Sequence, residues 1–177
     1  MKKFFVLALL LLVMAAGAFA LEVTTVGGGA MFNSTTYSWK EGGGWTGNGF
    51  GAFGFVGIGQ FFDINLGFIY KTNDFDQSLG ALMLGALFKY PFPINEKIEL
   101  FPSLGLDFEY SLSEWVPDET WHELWLRGGL GIDFLVTDNI FLRGHVNYGL
   151  GLVIGDYSDN FKFSHGLLIK AGVGWKF

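Results

Sequence analysis

The chain has 177 residues, of which 16% are charged and 18% aromatic, and its formal net charge is −6. Glycine together with the apolar residues other than tyrosine makes up about 60% of it, against about 45–50% in soluble domains, and a soluble surface usually carries about 25–35% charged residues. The composition therefore argues against an ordinary water-soluble globule. The acidic balance argues against nucleic-acid binding, and the absence of cysteine excludes disulfides, thiol chemistry and a lipid-modified N-terminal cysteine.

The first twenty residues have the pattern of an export signal. Two lysines precede an apolar run over residues 4–16, and Ala18-Phe19-Ala20 supplies a small-x-small cleavage site. The apolar stretch is at the short end of the about 17–25 residues that a membrane-spanning helix needs. We therefore predict a cleaved signal peptide at 1–20 and a single domain at 21–177. Loss of the two lysines takes the formal charge from −6 to −8.

A hydrophobic alternation of period two runs through most of the mature chain. In the segment 98–112 every even position is apolar, whereas the odd positions include Glu99, Asp107 and Glu109. This pattern predicts a β-strand with one apolar face and one polar face. The first two predicted strands are so rich in glycine that their register stays open. In chain order, strands are predicted over 22–34, 49–60, 63–71, 79–90, 98–112, 122–136, 140–154 and 164–177.

The connections between these strands alternate in length. Short turns are predicted near 61–62, 91–97 and 137–139, and longer segments near 35–48, 72–78, 113–121 and 155–163. Short turns at one end and long loops at the other are typical of an outer-membrane barrel. A soluble sandwich or a lipocalin-like barrel shows the same alternation, but strands of 14 or 15 residues exceed the usual ~5–6. The pattern favours the all-β class, as an eight-stranded antiparallel up-and-down transmembrane β-barrel.

Aromatic residues on the apolar face are predicted to form two girdles at the membrane surfaces. Tyr70 and Tyr110 come at the long-loop end of their strands, and Tyr90, Trp175 and Phe177 come at the short-turn end. Because every backbone polar group in hydrocarbon needs an internal partner, strands in this position must close into a barrel.

The opposite parity of the same strands predicts a closed, polar barrel interior. An unpaired buried charge costs several kcal/mol, so we expect six acids and six bases to interlock with a histidine across neighbouring strands. Arg127 and Arg143 are expected to pair with carboxylates on their own wall. The predicted interior network is Asp63, Lys71, Lys89, Glu99, Asp107, Glu109, Glu123, Arg127, Asp133, Arg143, His145, Lys170 and Lys176.

The C-terminal segment "HGLLIKAGVGWKF" alternates and finishes on an aromatic residue. With the strand pattern, it resembles the small eight-stranded outer-membrane barrels of the OmpX, OmpA-transmembrane-domain, opacity-protein and OmpW kind, over the whole mature chain. The resemblance implies a monomer exported to the bacterial outer membrane and embedded in outer-membrane lipid. It also implies periplasmic chaperones and the barrel-assembly machinery as partners during biogenesis, with Trp175 and Phe177 as the assembly signal.

The predicted loops are acidic, with a net charge of −6. Trp39, Trp45, Trp115 and Trp121 lie in or beside them. Two interpretations fit equally: these tryptophans anchor a surface ligand, or they extend the upper aromatic girdle.

No enzymatic, cofactor or metal site is predicted. The segment "GFGAFG" at 49–54 lacks the flanking strand and helix and the downstream acid that a dinucleotide site needs. The candidates for catalysis are His122 and His165, but the His-x-Ser spacing that the resemblance to lipid deacylases would require is absent.

The sequence thus predicts a non-enzymatic outer-membrane barrel with a surface, envelope-structural or adhesin-like binding role. Two alternatives stay open. One is a narrow OmpW-type channel for small or hydrophobic solutes, with a gap at the glycine-rich first hairpin, and the other is a lipid-modifying enzyme.

Overall fold

The computed structural model describes residues 22–75, 77–112, 121–155 and 161–177. The predicted signal peptide at 1–20 lies outside the described residues. In the described part of the chain, no helix is long and apolar enough to cross a membrane. The strands in these ranges are β1 (Val23–Trp39), β2 (Gly44–Ile58), β3 (Phe62–Asn73), β4 (Ser78–Lys89), β5 (Phe92–Pro93), β6 (Ile98–Ser111), β7 (Trp121–Leu135), β8 (Ile140–Gly155) and β9 (Phe161–Lys176).

Within the described residues, eight of these strands form one closed antiparallel barrel. Consecutive long strands pair with each other, and the first strand pairs with the last, from Thr25 opposite Lys176 upward. The ring is completed between β4 and β6, whereas β5 is a two-residue strand on the edge of β6. The structure confirms the predicted eight-stranded up-and-down barrel.

The strands are strongly tilted, as the register shows. A path that follows paired residues once around the barrel starts at Tyr37 and returns to β1 at Gly27, a shift of 37 − 27 = 10 residues. A shear of this kind is what the usual strand tilt of about 35–45° produces in a small barrel. The intermediate residues on this path are Ser164, Gly151, Trp125, Asp107, Gly85, Asn65 and Phe55.

Side-chain exposure alternates along every long strand. Outward-facing Leu130 is 67% exposed, whereas Trp125 on the same strand is 0% exposed. The structure also gives the register that the sequence left open, because odd positions of β1 and β2 face inward, Met31 and Phe53 among them. An apolar exterior around a filled interior is the arrangement expected in a bilayer.

The prediction of a long loop at 35–48 is wrong. β1 continues to Trp39, β2 begins at Gly44, and a four-residue turn joins them through Gly42 and Gly43, whose φ angles are 98° and 83°. Here the outward positions are Ser, Thr and Asn instead of apolar residues, so the lipid-facing pattern ends while the strands continue. The loop predicted at 72–78 likewise contracts to 74–77.

Several inward-facing glycines make room for aromatic rings on the neighbouring strand. Gly131 lies opposite Phe101 in the register of β6 and β7, and a side chain at this glycine would overlap the ring. Trp125 lies against Gly149 and Gly151 of β8 in the same way. The glycine content of the polar face is therefore a packing requirement, since an eight-stranded interior only just holds its side chains.

We expect Gly131→Val to lower the free energy of unfolding by about 1–3 kcal/mol, because the added branches overpack the interior against Phe101. Urea unfolding in lipid vesicles, followed by tryptophan fluorescence, measures the change. The matched control is Gly128→Val on the lipid face, where an added carbon meets only ordinary contacts of 3.7 and 3.8 Å. Equal effects of the two substitutions would contradict the packing argument, and Phe101→Ala should partly rescue Gly131→Val.

Candidate functional site

The barrel interior contains three layers of polar side chains along its axis, and their ionisable members are at most 7% exposed. The lower layer lies toward the short-turn end and comprises Asp63, Lys89, Asp133 and Arg143. The middle layer comprises Asn65, Ser103, His145, Asn147 and Lys170. The upper layer comprises Lys71, Asp107, Glu109, Glu123 and Arg127.

Arg143 is the centre of the lower layer. Its guanidinium donates from Nε and Nη2 to both carboxylate oxygens of Asp133 on the neighbouring strand, at 2.7 and 2.6 Å. Its Nη1 donates at 2.7 Å to Asp63 on β3, four strands away in either direction around the barrel. Lys89 Nζ reaches the other oxygen of Asp63 at 2.9 Å. One side chain thus links opposite walls.

Aromatic rings surround the Arg143 guanidinium. Its central carbon lies 4.4 Å from the ring centre of Phe55, 5.0 Å from that of Phe101 and 5.1 Å from that of Phe141. Such rings attract a cation through their negative faces and exclude water. They therefore fix the guanidinium across the lumen as well as strengthening its ion pairs.

In the upper layer, two neighbouring carboxylates are neutralised by cations. Glu109 and Glu123 lie directly opposite each other on β6 and β7, an arrangement that is destabilising for two carboxylates. Lys71, which enters from β3, pairs with both: it contacts Glu109 closely and lies 2.9 Å from Glu123. Arg127 adds a second cation, 2.9 Å from Glu109 and 3.0 Å from Asp107. These contacts tie β3, β6 and β7 together.

Glu123 collects four donors. Besides Lys71, it accepts hydrogen bonds from the hydroxyl of Tyr37 and from the indole nitrogens of Trp121 and Trp125, the last two at 2.7 and 2.9 Å. Glu123 pairs with a lysine and three aromatic donors instead of with an arginine on its own wall. A carboxylate with this many donors is stabilised in its charged form despite burial.

A ring of hydrogen bonds forms the middle layer. Asn147 Nδ2 lies 3.2 Å from His145 Nδ1 and donates to it, so the imidazole carries its proton on Nε2 and donates to Ser103 Oγ at 2.8 Å. Ser103 in turn donates to Asn147 Oδ1 at 3.3 Å. Lys170 lies beside this ring and donates to Asn65 at 3.4 Å.

The interior is only partly polar, which corrects the prediction of a polar interior. Large apolar side chains on β1 to β4 fill the wall where the sequence shows many glycines, and Phe141 and Leu168 join them. These residues pack into one cluster comprising Met31, Phe53, Phe55, Ile69, Ala81, Met83, Phe141 and Leu168.

Three aromatic rings close the barrel above the upper layer. Tyr37 stacks on Trp45 with ring centres 4.0 Å apart, and Trp121 meets Tyr37 edge-on at 5.4 Å. Trp45 and Trp121 are only 7% and 5% exposed, so the predicted role of these two as exposed ligand anchors is wrong. Above the membrane, where the sequence suggested loops, β1, β2 and β7 continue and their odd-numbered residues still face the interior. Trp39 is half-buried, and Trp115 lies outside the described residues.

A cavity of about 180 Å³ opens at the short-turn end of the barrel. Arg143, Lys89 and Asp133 form its inner end, and it reaches no residue of the middle layer. Glu99 and Lys176 line this mouth, half-buried and exposed respectively, which corrects their predicted place inside the network. They are the terminal inward positions of their strands, where water already screens charge.

The predicted girdle residues lie on the outer surface. Tyr70, Tyr90, Tyr110, Trp175 and Phe177 are all exposed, the last at 71%.

The two candidate histidines are also on the outside, at the opposite end from the cavity. His122 stacks on Tyr110 at 4.5 Å, and His165 Nδ1 lies 2.8 Å from the Tyr148 hydroxyl. Ser164 faces the interior and is fully buried. The structure therefore does not bring a serine of β9 to either histidine.

A closed antiparallel barrel with an apolar exterior and ion pairs inside is characteristic of an integral outer-membrane β-barrel protein. The chain belongs to the outer membrane protein beta-barrel domain family, whose model matches residues 5–177. This places it in the bacterial outer membrane.

Solved structures support the same fold. Neisserial surface protein A (NspA) is 18% identical to this chain, with a TM-score of 0.57. The match covers 90% of this chain and 100% of the NspA chain. The outer membrane protein OprG from Pseudomonas aeruginosa is 12% identical with a TM-score of 0.50, covering 88% and 97%. No curated protein matches the sequence significantly.

We expect Arg143→Met to lower the free energy of unfolding by about 3–5 kcal/mol, because it leaves Asp133 buried without its cation and removes the link to Asp63. Urea unfolding in lipid vesicles measures the loss. Lys176→Met is the matched control, since it removes an exposed cation from the mouth. If the two variants unfold alike, the ion pairs across the lumen do not stabilise the barrel.

Glu123→Gln tests the upper layer without a change in side-chain shape. One carboxylate oxygen would become an NH2 group that faces side chains which also donate hydrogen bonds. About 1–3 kcal/mol of stability should therefore be lost. Near-ultraviolet circular dichroism should also change, because Trp121 and Trp125 donate to different oxygens of Glu123 and one of the two loses its acceptor. Glu99→Gln at the solvated mouth should alter neither property, and an unchanged Glu123→Gln protein would contradict the importance of this carboxylate.

Proposed function

We propose that this protein is a non-conducting outer-membrane barrel that acts through its outer surface and its long-loop end, in an envelope-structural or binding role. The observation that carries the proposal is the Arg143 link between Asp63 and Asp133, which crosses the lumen at the inner end of the cavity at the short-turn end. In this proposal the short-turn end faces the periplasm and the long-loop end faces outward, as is usual for such barrels.

Packing at the other levels supports a closed barrel. Tyr37, Trp45 and Trp121 cover the upper layer, and the side chains between them and Arg143 are almost completely buried. A water-filled pore would leave some of these polar groups accessible. The interior groups are also engaged with each other, which leaves the exterior for contacts with other molecules.

The channel alternative gains no support from the first hairpin. β1 and β2 pair from Val23 opposite Ile58 to Ser38 opposite Gly44. The glycines of this hairpin lie beside Met31, Phe53 and Phe55, which occupy the adjacent interior. A lateral gap for hydrophobic solutes would require a break in this pairing.

An enzymatic role is not part of the proposal. His122 accepts a hydrogen bond from the Ser111 backbone N–H, and His165 contacts the Tyr148 hydroxyl. In the described residues neither histidine has the carboxylate at hydrogen-bond distance that would orient it in a hydrolytic site.

Conductance across a planar lipid bilayer tests the proposal. The native barrel should give no regular single-channel steps, because the lower and upper layers both close the lumen. Arg143→Ala combined with Trp45→Ala removes a closing group at each end and should introduce small steps if the barrel stays folded. A gel-mobility shift on boiling verifies folding.

Steady unitary steps from the native protein that change with Arg143→Ala would contradict a closed barrel and establish the channel alternative. Steps that are insensitive to both substitutions would indicate a path elsewhere. Phe134→Ala on the lipid face is the control, since it removes an aromatic ring without affecting the lumen.

A further inference from the structure

The outer surface of β1 to β4 has a neutral polar patch at the long-loop end. Beyond the last apolar residues of these strands, the outward positions carry only hydroxyl and amide groups or glycine. We call this surface the hydroxyl patch, and its members are Ser34, Thr36, Ser38, Thr46, Asn48, Thr72 and Ser78. Each is half-buried or exposed, whereas its strand neighbours face the barrel interior.

Strand register arranges the patch in rows. Ser34 pairs with Asn48, Asn48 with Thr72, and Thr72 with Ser78, so a continuous row crosses four strands. A second row begins with Thr36 opposite Thr46. The patch is therefore a flat, regular surface on a rigid sheet, not a chance set of loop residues.

The hydroxyl groups of the patch make only long contacts within the described part of the protein. Thr36 and Thr46 hydroxyls are 3.4 Å apart, and the Thr72 hydroxyl lies 3.5 Å from the carbonyl oxygen of Asn48. Both separations exceed the about 2.5–3.0 Å of a normal hydroxyl hydrogen bond. These side chains keep most of their capacity to donate and accept.

The patch continues directly from the lipid-facing surface. Phe32, Phe50 and Tyr70 are the next outward residues toward the membrane on their strands, and Phe50 and Tyr70 are 70% and 51% exposed. Aromatic rings of this kind mark the boundary between hydrocarbon and headgroups. The hydroxyl patch therefore lies at the depth of the headgroups in the outer leaflet.

The other half of the barrel differs at the corresponding strand ends. There the outward residues are apolar, aromatic or histidine: Leu112, Leu152 and Phe163 are 54%, 61% and 40% exposed, and His122 and His165 lie among them. In the part of the chain that the structure describes, the rows of serine, threonine and asparagine are thus confined to the side formed by β1 to β4.

We propose that the hydroxyl patch binds the sugars that a glycolipid of the surrounding outer leaflet carries beyond its acylated, phosphorylated anchor. Uncharged hydroxyl and amide groups are suited to exchanging hydrogen bonds with sugar hydroxyls. Phosphate binding would instead call for Arg or Lys, and the rows contain neither. The charged group bonded to the patch in the described residues is Asp74, whose carboxylate accepts from the Thr46 backbone N–H at 2.9 Å and would repel a phosphate. The inference rests on the outward orientation in the proposed function, and it adds a specific ligand class.

The test removes hydroxyls without changing shape. The triple variant Thr36→Val, Thr46→Val and Thr72→Val keeps β-branched residues that suit strands. Native mass spectrometry of the detergent-solubilised barrel, titrated with rough-type lipopolysaccharide or with lipid A prepared from it, reports binding. The variant should bind the lipopolysaccharide, which carries core sugars beyond lipid A, at least about tenfold more weakly, equivalent to 1.4 kcal/mol, and should bind lipid A as the native barrel does. Thr24→Val, outward on β1 at the opposite end, should bind both lipids normally.

Three results would overturn the proposal. The first is equal affinity of the native barrel and the triple variant for the lipopolysaccharide, both being folded by gel mobility. The second is equal affinity of the native barrel for that lipid and for lipid A, which would assign binding to the glucosamines, phosphates and acyl chains of lipid A and not to the sugars beyond it. The third is competition by the free core oligosaccharide at the same affinity, which would indicate a soluble carbohydrate ligand. Bilayer conductance of the same proteins separates the two proposals, because a conducting barrel that binds the glycolipid would contradict only the closed lumen.

Discussion

The ion pairs of Arg143 with Asp63 and Asp133 show the constraint on which this structure depends. Apolar side chains on the outside of a barrel match the surrounding lipid but add little further stability. Specific contacts between opposite walls must therefore come from the interior. Backbone pairing alone joins each strand only to its neighbours. Arg143 connects β8 with β3 on the opposite wall, and Lys71 connects β3 with β6 and β7. Side chains therefore brace the barrel across its diameter.

These braces follow from the placement of carboxylates. β6 and β7 place acids directly opposite each other at two levels, Glu109 with Glu123 and Glu99 with Asp133. Neither pair is stable without cations or solvent. The inner pair receives Lys71 from another wall, whereas at the mouth Asp133 receives Arg143 and Glu99 borders the open cavity. Arg127 of β7 neutralises part of this negative charge, and the remaining cations come from other strands.

The sequence predicts the barrel well because its main signal is local. Alternation with period two defines six of the strands and identifies which side chains face inward, and residues such as Asp107 and Arg127 are placed on the correct side by parity alone. Which inward charge pairs with which depends on shear and on side-chain length across the lumen, and no local pattern encodes either. The Lys71 contact with Glu123 joins residues 52 positions apart, and a prediction limited to neighbouring strands could not include it.

The first hairpin shows a different limit. Its strands extend past the membrane as far as Trp39 and from Gly44 onward, where outward positions become hydroxyl residues while inward positions stay bulky. A search for apolar alternation reads that change as the end of the strand. The register of Tyr37 opposite Trp45 shows instead that parity persists and only the solvent of the outer face changes. Where hydrocarbon gives way to headgroups, the inward side chains of a strand stay bulky and its outward side chains become polar. A polar outward row on an unbroken strand therefore indicates the depth of the membrane boundary.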